Sequence, residues 1–272
     1  MTILYIIGML DDSIGMRWYV KLVVQALAIL LLFFGGDNSI LSLYGLFYDG
    51  TFPYWLSCIV TVFVGLLLLN AVNFVDGIDG LASALAVLSA SLMAYRSIRH
   101  GFVSHAIVSF VIVGALTAFF FFNVFSKKYK MYRGDSGTML IGLFVFITAC
   151  PDPNNTIGSD FLVDRYFVSF MLALFSSMVF DLVRVVIMRI ADNKSPFLPD
   201  RTHLHHLYVD MGMCHLLATM VIVFSNGMMV LVWYLTAAAG MNVELQFFVV
   251  ALSGVALFWM PYFIYSRMRV SN

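Results

Sequence analysis

Long stretches without any Asp, Glu, Lys or Arg recur along the whole chain, and they limit its fold more than any other feature. A bilayer core about 30 Å thick is crossed by roughly 20 helical residues, so we interpret these stretches as eight spanning helices. They cover residues 22–36, 50–75, 80–95, 100–126, 136–151, 166–180, 211–243 and 245–266. Residues 1–10 are also apolar but cover about half a bilayer, and we interpret them as the end of a ninth span.

The composition supports this interpretation. Hydrophobic residues make up 62% of the chain and charged residues 11%, whereas soluble proteins carry about 25% charged residues. We therefore predict an all-α polytopic integral membrane protein with a single transmembrane domain over residues 1–272. The composition excludes a soluble enzyme and a disordered tail, and the zero net charge without a basic block argues against nucleic-acid binding.

The basic residues are distributed unevenly between the two sides of the membrane. If the spans alternate, twelve of the 15 Lys and Arg residues lie in joints on one side, and only Arg96, Arg99 and Arg165 lie on the other. Loops rich in Lys and Arg stay in the cytoplasm, so we predict that the first side, with the C-terminus, is cytoplasmic. Four polar segments fall on this side: residues 11–21, 73–79, 126–137 and 184–210.

The first polar segment joins two adjacent carboxylates to a cation. Asp11 and Asp12 end the N-terminal apolar stretch, and Lys21 lies near the start of the next helix. An anionic pair at a membrane surface can hold a divalent cation or a proton. A solvated helix end is the alternative interpretation.

The second segment carries four polar residues at intervals of three: Asn70, Asn73, Asp76 and Asp79. This spacing predicts one polar stripe along a helix. Gly77 and Gly80 lack side chains, and we interpret them as allowing the backbone to approach a bulky ligand. Carboxylates and amides at the edge of the hydrocarbon are costly without a partner, so a functional site is favoured over an interhelical polar clamp.

The third segment contains a small carboxylate in a turn. Asp135 lies between glycines in the sequence GDSG at 134–137, after a basic stretch that positive-inside flanking explains for the most part. Such a carboxylate is an oxygen donor that Mg²⁺ uses together with phosphate oxygens.

The fourth segment is the longest polar stretch. It contains three histidines and two other basic residues: Lys194, Arg201, His203, His205 and His206. Two prolines are predicted to keep the segment extended, so that His203 and His205 point the same way and form a diphosphate clamp with Arg201. The remaining histidines are interpreted as structural or interfacial: His100, His105 and His215.

Carboxylates and cations on one membrane face predict Mg²⁺-assisted phosphoryl chemistry. A nucleotide-linked substrate would arrive from the cytosol, and a lipid acceptor would account for the large membrane part.

The four segments, in this order, resemble the polyprenyl-phosphate N-acetylhexosamine-1-phosphate transferases of glycosyltransferase family 4, which include the WecA-type and MraY-type enzymes. The matching motifs are the aspartate pair at 11–12, NxxNxxDGxDGL at 70–81, GDSG at 134–137 and SPFxPDRxHxHH at 195–206. The last motif resembles the N-acetylglucosamine branch more than the muramyl-pentapeptide branch.

The resemblance implies that undecaprenyl phosphate attacks the β-phosphorus of UDP-N-acetylglucosamine, or of a related UDP-N-acetylhexosamine, and that UMP leaves. It implies Mg²⁺, with Mn²⁺ as the alternative, and the inner membrane of a bacterium. The implied metal contacts are Asn73 and Asp135. The implied catalytic residues are Asp11, Asp12, Asp76 and Asp79. The implied substrate contacts are Lys21, Asn70, Asn123 (to uracil), Lys194, Arg201, His203, His205 and His206.

A general base is hardly required, because a phosphate monoester is mostly dianionic at pH 7. The aspartate pair is therefore also a candidate for orienting Lys21 or the metal. Two features depart from the family pattern. Arg133 precedes GDSG where Met is usual, and the family has about two further helices before the aspartate pair, so we expect an N-terminally truncated chain.

The alternative functions are an inactive relative that acts as a membrane interaction subunit and a secondary transporter. Transporters concentrate ionisable residues near the bilayer midplane, whereas here they lie at span ends. Beyond the two substrates, the expected partner is membrane lipid, with a homodimer left open and no nucleic acid.

Overall fold

A computed structural model describes residues 1–36, 38–132, 134–150, 162–195 and 202–270. Three features of the sequence interpretation lie outside these residues: Arg201, Arg133 and the two prolines of the fourth motif.

The described residues form a bundle of helices. In chain order they are α1 (Thr2–Ile14), α2 (Trp18–Gly35), α3 (Tyr54–Val75), α4 (Leu81–Arg99), α5 (Val103–Val124), α6 (Gly134–Ala149), α7 (Leu162–Arg165), α8 (Phe167–Leu174), α9 (Ser176–Ala191), α10 (Leu204–Asp210), α11 (His215–Ala238) and α12 (Val243–Val270). An isolated antiparallel bridge joins Ser42 and Thr51 in the loop between α2 and α3. The predicted all-α polytopic class is confirmed.

The described helices include fewer full spans than the eight predicted. Six are long and apolar enough to cross a membrane: α2, α3, α4, α5, α11 and α12. The predicted span at 166–180 is instead a pair, α8 and α9, bent by 76°, and counts as a seventh only if the pair forms one span. The predicted span at 136–151 corresponds to α6, whose 16 residues extend about 24 Å. The N-terminal half helix is α1.

A side chain from α11 explains the break between α8 and α9. Asn226 is 1% exposed. Its Oδ1 accepts hydrogen bonds from the Ser177 N–H (2.9 Å) and the Ser176 hydroxyl (3.0 Å), and its Nδ2 donates to the Leu174 carbonyl at 2.9 Å. Backbone groups in hydrocarbon must find partners within the protein, and this amide supplies them where the helix bends.

The polar stripe predicted over 70–79 is only half helical. The helix α3 ends at Val75 and a turn follows, so Asn70 and Asn73 share a helix face but Asp76 and Asp79 do not continue it. Glycine is a poor helix former, and Gly80 has φ +83°, in the left-handed region. The stripe prediction was wrong beyond Asn73 for this reason.

Close packing of α3 against α6 positions the site. A Cβ on Gly142 would lie 2.8 Å from the Leu69 Cα, so the glycine lets the two helices approach. Leu69 and Val72 are fully buried there. The contact holds the C-terminal end of α3, with Asn73, beside the N-terminal end of α6, with Asp135.

Candidate active site

Lys21 connects the first and third motifs. Its ammonium contacts the carboxylates of Asp11 and, at 2.7 Å, Asp135. Asp11 is buried and also accepts the Met16 N–H at 2.6 Å. Two carboxylates from different helices thus share one cation, and the ammonium offsets a repulsion that would otherwise separate α1 from α6.

Asn73 adds the second motif to this group. Its Nδ2 donates to the Asp135 carboxylate at 3.1 Å and to the Thr138 hydroxyl at 2.8 Å. The two predicted metal contacts therefore touch each other, and Lys21 touches one of them.

Asp12 binds the N-terminal turn of α6. Its carboxylate accepts the N–H of Asp135 at 2.7 Å, the N–H of Ser136 at 3.3 Å and the Ser136 hydroxyl at 3.1 Å. Free N–H groups at a helix start are normally capped by a local side chain, and here the cap comes from α1. Asp12 orients the segment that carries Asp135.

Two glycines, Gly8 in α1 and Gly134 in the third motif, make this contact fit. A Cβ on Gly8 would lie 2.2 Å from the Ser136 Cα, and one on Gly134 would lie 2.5 Å from an Asp12 carboxylate oxygen. Both positions are filled by neighbouring protein atoms.

Asp79 is held by a lysine and a histidine. Its Oδ2 accepts from the Lys130 ammonium at 2.8 Å and lies 3.2 Å from Nδ1 of His215. Burial alone would raise the pKa of the Asp79 carboxyl, but the hydrogen bonds from Lys130 and His215 outweigh it and lower that pKa. The same hydrogen bond raises the pKa of Lys130. His215, interpreted as structural or interfacial, therefore contacts a predicted site residue.

His205 closes on the turn between α3 and α4. A Cβ on Gly77 would lie 2.0 Å from its Nε2, and the imidazole is 2% exposed. Burial, followed by the charge of His206, lowers the pKa of His205 to about 3, so the ring is neutral at physiological pH. The ring packs against Gly77 rather than presenting a cation, so the predicted diphosphate contact remains a prediction that the burial does not favour.

Protein atoms approach both glycines of the second motif, and the ligand approach predicted for these glycines stays a prediction. The His205 ring lies against Gly77, which remains exposed, and a Cβ on Gly80 would lie 2.6 Å from side-chain atoms of Phe120 and Val124. Asp76, half-buried, ends α3 within the same turn.

His203 lies deeper and is held on several sides. Its ring stacks on Phe74, with centroids 5.3 Å apart, and lies parallel to His205 at 5.9 Å. Its Nδ1 lies 2.9 Å from Asp181, which also binds Arg184. The extended conformation predicted for this segment is wrong at His205 and His206, because both lie within α10, which begins at Leu204.

Three other predicted substrate contacts occupy different surroundings. Asn70 donates to buried Gln25 at 2.8 Å inside the bundle. Asn123, predicted to contact uracil, is buried; its Oδ1 accepts the Gly80 N–H at 2.7 Å and its Nδ2 donates to the Met131 carbonyl at 2.8 Å. Lys194 is exposed and pairs with Asp192 at 3.0 Å. Their roles toward substrate stay predictions, and the structure gives the two amides supporting positions.

The sequence analysis missed two partners of the motifs. His215 gave no local signal because it contacts a residue 136 positions away. Asp181 did give a local signal in the sequence, because it is the first charged residue after an apolar run and Arg184 follows three positions later. The described contacts therefore bring all four motifs to one end of the bundle, as the alternation of spans predicted.

Comparison with known proteins gives the family. The sequence profile of glycosyl transferase family 4 matches residues 1–150, more than half of the chain. The chain belongs to this family. The matched part contains the aspartate pair, the NxxNxxDGxDGL segment and the GDSG turn.

Similarity to curated relatives extends beyond the residues that the profile matches. The undecaprenyl-phosphate alpha-N-acetylglucosaminyl 1-phosphate transferase of Escherichia coli (strain K12) is 28% identical over 270 residues, covering 97% of this chain and 69% of the relative. The decaprenyl-phosphate N-acetylglucosaminephosphotransferase of Mycobacterium leprae is 30% identical over 235 residues, covering 77% of this chain and 56% of the relative. The chain is thus a multi-pass membrane member of the family, and these relatives favour a transferase over a transporter or an inactive subunit.

Proposed function

We propose that this chain transfers N-acetylglucosamine 1-phosphate from UDP-N-acetylglucosamine to undecaprenyl phosphate. An oxygen of the lipid phosphate forms a bond to the β-phosphorus, the bond from that phosphorus to the bridging oxygen breaks, and UMP leaves. The names of the two relatives support the proposal, since one is an undecaprenyl-phosphate alpha-N-acetylglucosaminyl 1-phosphate transferase and the other a decaprenyl-phosphate N-acetylglucosaminephosphotransferase. The observation that carries the proposal here is the meeting of Asp11, Lys21, Asn73 and Asp135 at the end of the bundle where all four motifs converge.

The contacts of the aspartate pair suit positioning rather than proton transfer. Asp12 accepts three hydrogen bonds from the start of α6, and Asp11 binds Lys21 and a backbone N–H. The attacking phosphate is already mostly dianionic at pH 7. We infer that the pair fixes the positions of Lys21 and Asp135. When substrate binds, the Lys21 ammonium would move from the two carboxylates to the phosphate and neutralise its charge.

The residues of this group fit a magnesium ion. Mg²⁺ prefers oxygen donors and is often bound by one or two carboxylates together with substrate phosphates. In the described residues no cluster of three or more His, Cys, Asp or Glu side chains is arranged to hold a metal alone. Asp135 and the Asn73 amide oxygen would hold the ion, with phosphate oxygens completing its shell. When bound, it would supply charge neutralisation on the diphosphate.

A transfer assay with the whole chain tests the proposal. Radiolabelled UDP-N-acetylglucosamine and undecaprenyl phosphate should give a labelled lipid and UMP in equal amounts, and EDTA should abolish both. Asp135→Asn should lower turnover by about 1000-fold, whereas Asp49→Asn, exposed in the loop between α2 and α3, should not. A folded wild-type protein that forms no lipid product with Mg²⁺ or Mn²⁺ would refute the proposal.

We also propose that the protein lies in the inner membrane of a bacterium and that the site is on the cytoplasmic face of that membrane. The natural Cys214 is exposed and immediately precedes His215 at the site end. In a Cys58→Ser, Cys150→Ser background, a membrane-impermeant maleimide should label Cys214 in inverted vesicles and not in intact spheroplasts. The opposite labelling pattern would place the site on the outer face.

A further inference from the structure

Few side chains of α2 are buried in the bundle. Of its 18 residues, four are buried: Gln25, Ala28, Ile29 and Phe33. Gln25 is the polar member of this set, and 2% of its surface is exposed. An amide in hydrocarbon is costly unless it has a hydrogen-bond partner within the protein. Gln25 therefore marks a point at which α2 is joined to a neighbouring helix by a directional bond.

The partner of Gln25 is Asn70 on α3. The Asn70 amide nitrogen donates to Oε1 of Gln25 at 2.8 Å and to the Leu66 carbonyl, one turn earlier in α3, also at 2.8 Å. An amide NH₂ group has two protons to donate, and both are used here. The bond to Leu66 fixes the orientation of the Asn70 side chain, so the bond to Gln25 has a fixed place on α3.

Three contacts set the register of α2 against α3. From the membrane interior toward the site they are Ile29 with Gly65, Gln25 with Asn70, and, through Asp135, Lys21 with Asn73. The first and the last contact are eight positions apart on both helices, which is about 12 Å. The two helices are therefore antiparallel and in matched register between these contacts.

The middle contact fixes the part of α2 that carries Lys21. The innermost contact is apolar: a Cβ on Gly65 would lie 2.6 Å from Cδ1 of Ile29. Apolar packing is non-directional, so it allows α2 to rotate about this point. The Lys21 side chain is flexible, so its ion pairs do not fix the helix. The bond of Gln25, one turn from Lys21, does.

We propose that Gln25 is a positioning residue for the transfer reaction and acts through Lys21. By binding Asn70, it fixes the rotation and register of α2 against α3, and it thereby holds the Lys21 ammonium beside Asp135, from where the ammonium can reach the substrate phosphate. This inference rests on the proposed function, because it concerns the placement of Lys21 for that reaction. A misplacement of about 1 Å can lower the rate of a positioned reaction by about 100-fold.

Exchange of the two amides is the main test. Gln25→Met keeps the length of the side chain and removes the acceptor oxygen, and we expect kcat to fall by about 10- to 100-fold. Gln25→Asn and Asn70→Gln each change the length of the bridge by one methylene, so each should also lower kcat. The double variant restores the total length and should transfer within about threefold of the wild-type rate. A double variant no faster than its single variants would overturn the proposal.

Gln246 supplies a matched control. It is fully buried near the start of α12, where its amide accepts from the Ser169 hydroxyl and donates to the Trp233 carbonyl at 3.3 Å. Gln246→Met should lower the midpoint of thermal unfolding, as Gln25→Met does, and leave transfer unchanged. If the two variants lower transfer equally, the role of Gln25 is merely structural and the proposal fails.

A double-mutant cycle with Lys21 tests the route of the effect. In a Lys21→Met chain, Gln25→Met should lower the residual rate by less than about twofold, because the effect passes through the ammonium. The same fold loss in both backgrounds would overturn the proposal. A folded wild type that forms no labelled lipid would refute the proposed function and this role with it, whereas a wild-type rate in Gln25→Met would overturn this role alone.

Discussion

The contact between Gly77 and His205 allows a prediction whose size follows from the structure. Gly77 does not have a positive φ, so alanine suits the backbone and the effect of Gly77→Ala is steric. The added Cβ would lie 2.0 Å from Nε2 of His205 and 2.7 and 2.8 Å from two ring carbons, and ordinary contact begins at 3.4 Å. The ring and the turn must separate by about 1.4 Å to restore a normal contact.

The His205 ring has little room to retreat. It is 2% exposed, lies parallel to His203 and has His206 at a centroid distance of 4.2 Å. Overpacking of this kind costs about 1–3 kcal/mol. We expect Gly77→Ala to lower the free energy of unfolding by about 2 kcal/mol. Transfer should fall by about 100-fold, because the turn that carries Asp76 and Asp79 moves away from α10.

Thermal unfolding of the detergent-solubilised protein and the transfer assay measure the two effects. Gly227→Ala is the control: a Cβ there has no heavy atom within 4 Å, and alanine in a helix should be more stable by about 0.5–1 kcal/mol. In a His205→Ala background the Gly77→Ala substitution should no longer destabilise the chain. The steric reasoning fails if the loss is the same with and without the ring.

Three further predictions concern other contacts. Asp12→Ala should destabilise the chain by about 1 kcal/mol through loss of the α6 cap, while Asp12→Asn, which keeps an acceptor oxygen, should retain most of that stability in thermal unfolding. Because the pKa of His205 is lowered to about 3 from 6.5, the unfolded chain binds more protons between these values, so stability is complete above pH 6.5 and falls as the pH decreases. This loss should be smaller in His205→Gln when unfolding midpoints at about pH 7.5 and about pH 5 are compared. Asn226→Leu should lower the unfolding free energy by about 3 kcal/mol, since it leaves buried polar groups unpaired, whereas Asn242→Leu, at an exposed helix start, should lower it by about 1 kcal/mol.

The end of the bundle at which the motifs meet was predictable. Successive spans end on alternate sides of the membrane, and all four motifs lie at span ends on the same side. The contacts of Asn73 with Asp135 and of Gly77 with His205 agree with that reasoning. Which motif atoms touch was not predictable, since it depends on helix rotation and on how closely α3 and α6 approach. The aspartate pair illustrates this: the two residues are adjacent in sequence, yet Asp11 binds Lys21 and Asp12 binds the start of α6.

The broken span could not be predicted from its own residues. Neither Pro nor Gly occurs between 166 and 191, and these are the residues that usually mark a sharp bend. The bend instead depends on Asn226, about 50 positions away in the sequence, so a local reading gives one straight helix. Asp181 and Arg184 follow the break, and their place beside His203 was missed for the same reason.

The polar groups at the other end of α4 show why residue types alone do not identify this site. One carboxylate, one guanidinium and one imidazole lie together there: Asp164, Arg96 and His100. Asp181, Arg184 and His203 form the same combination at the site end. Arg96 is about 24 Å along α4 from Gly80, and its cluster joins α4 to α7. Two clusters with the same chemistry therefore differ in what surrounds them, and the convergence of four separate segments, rather than the donor set, supports the proposal that the reaction takes place at the site end.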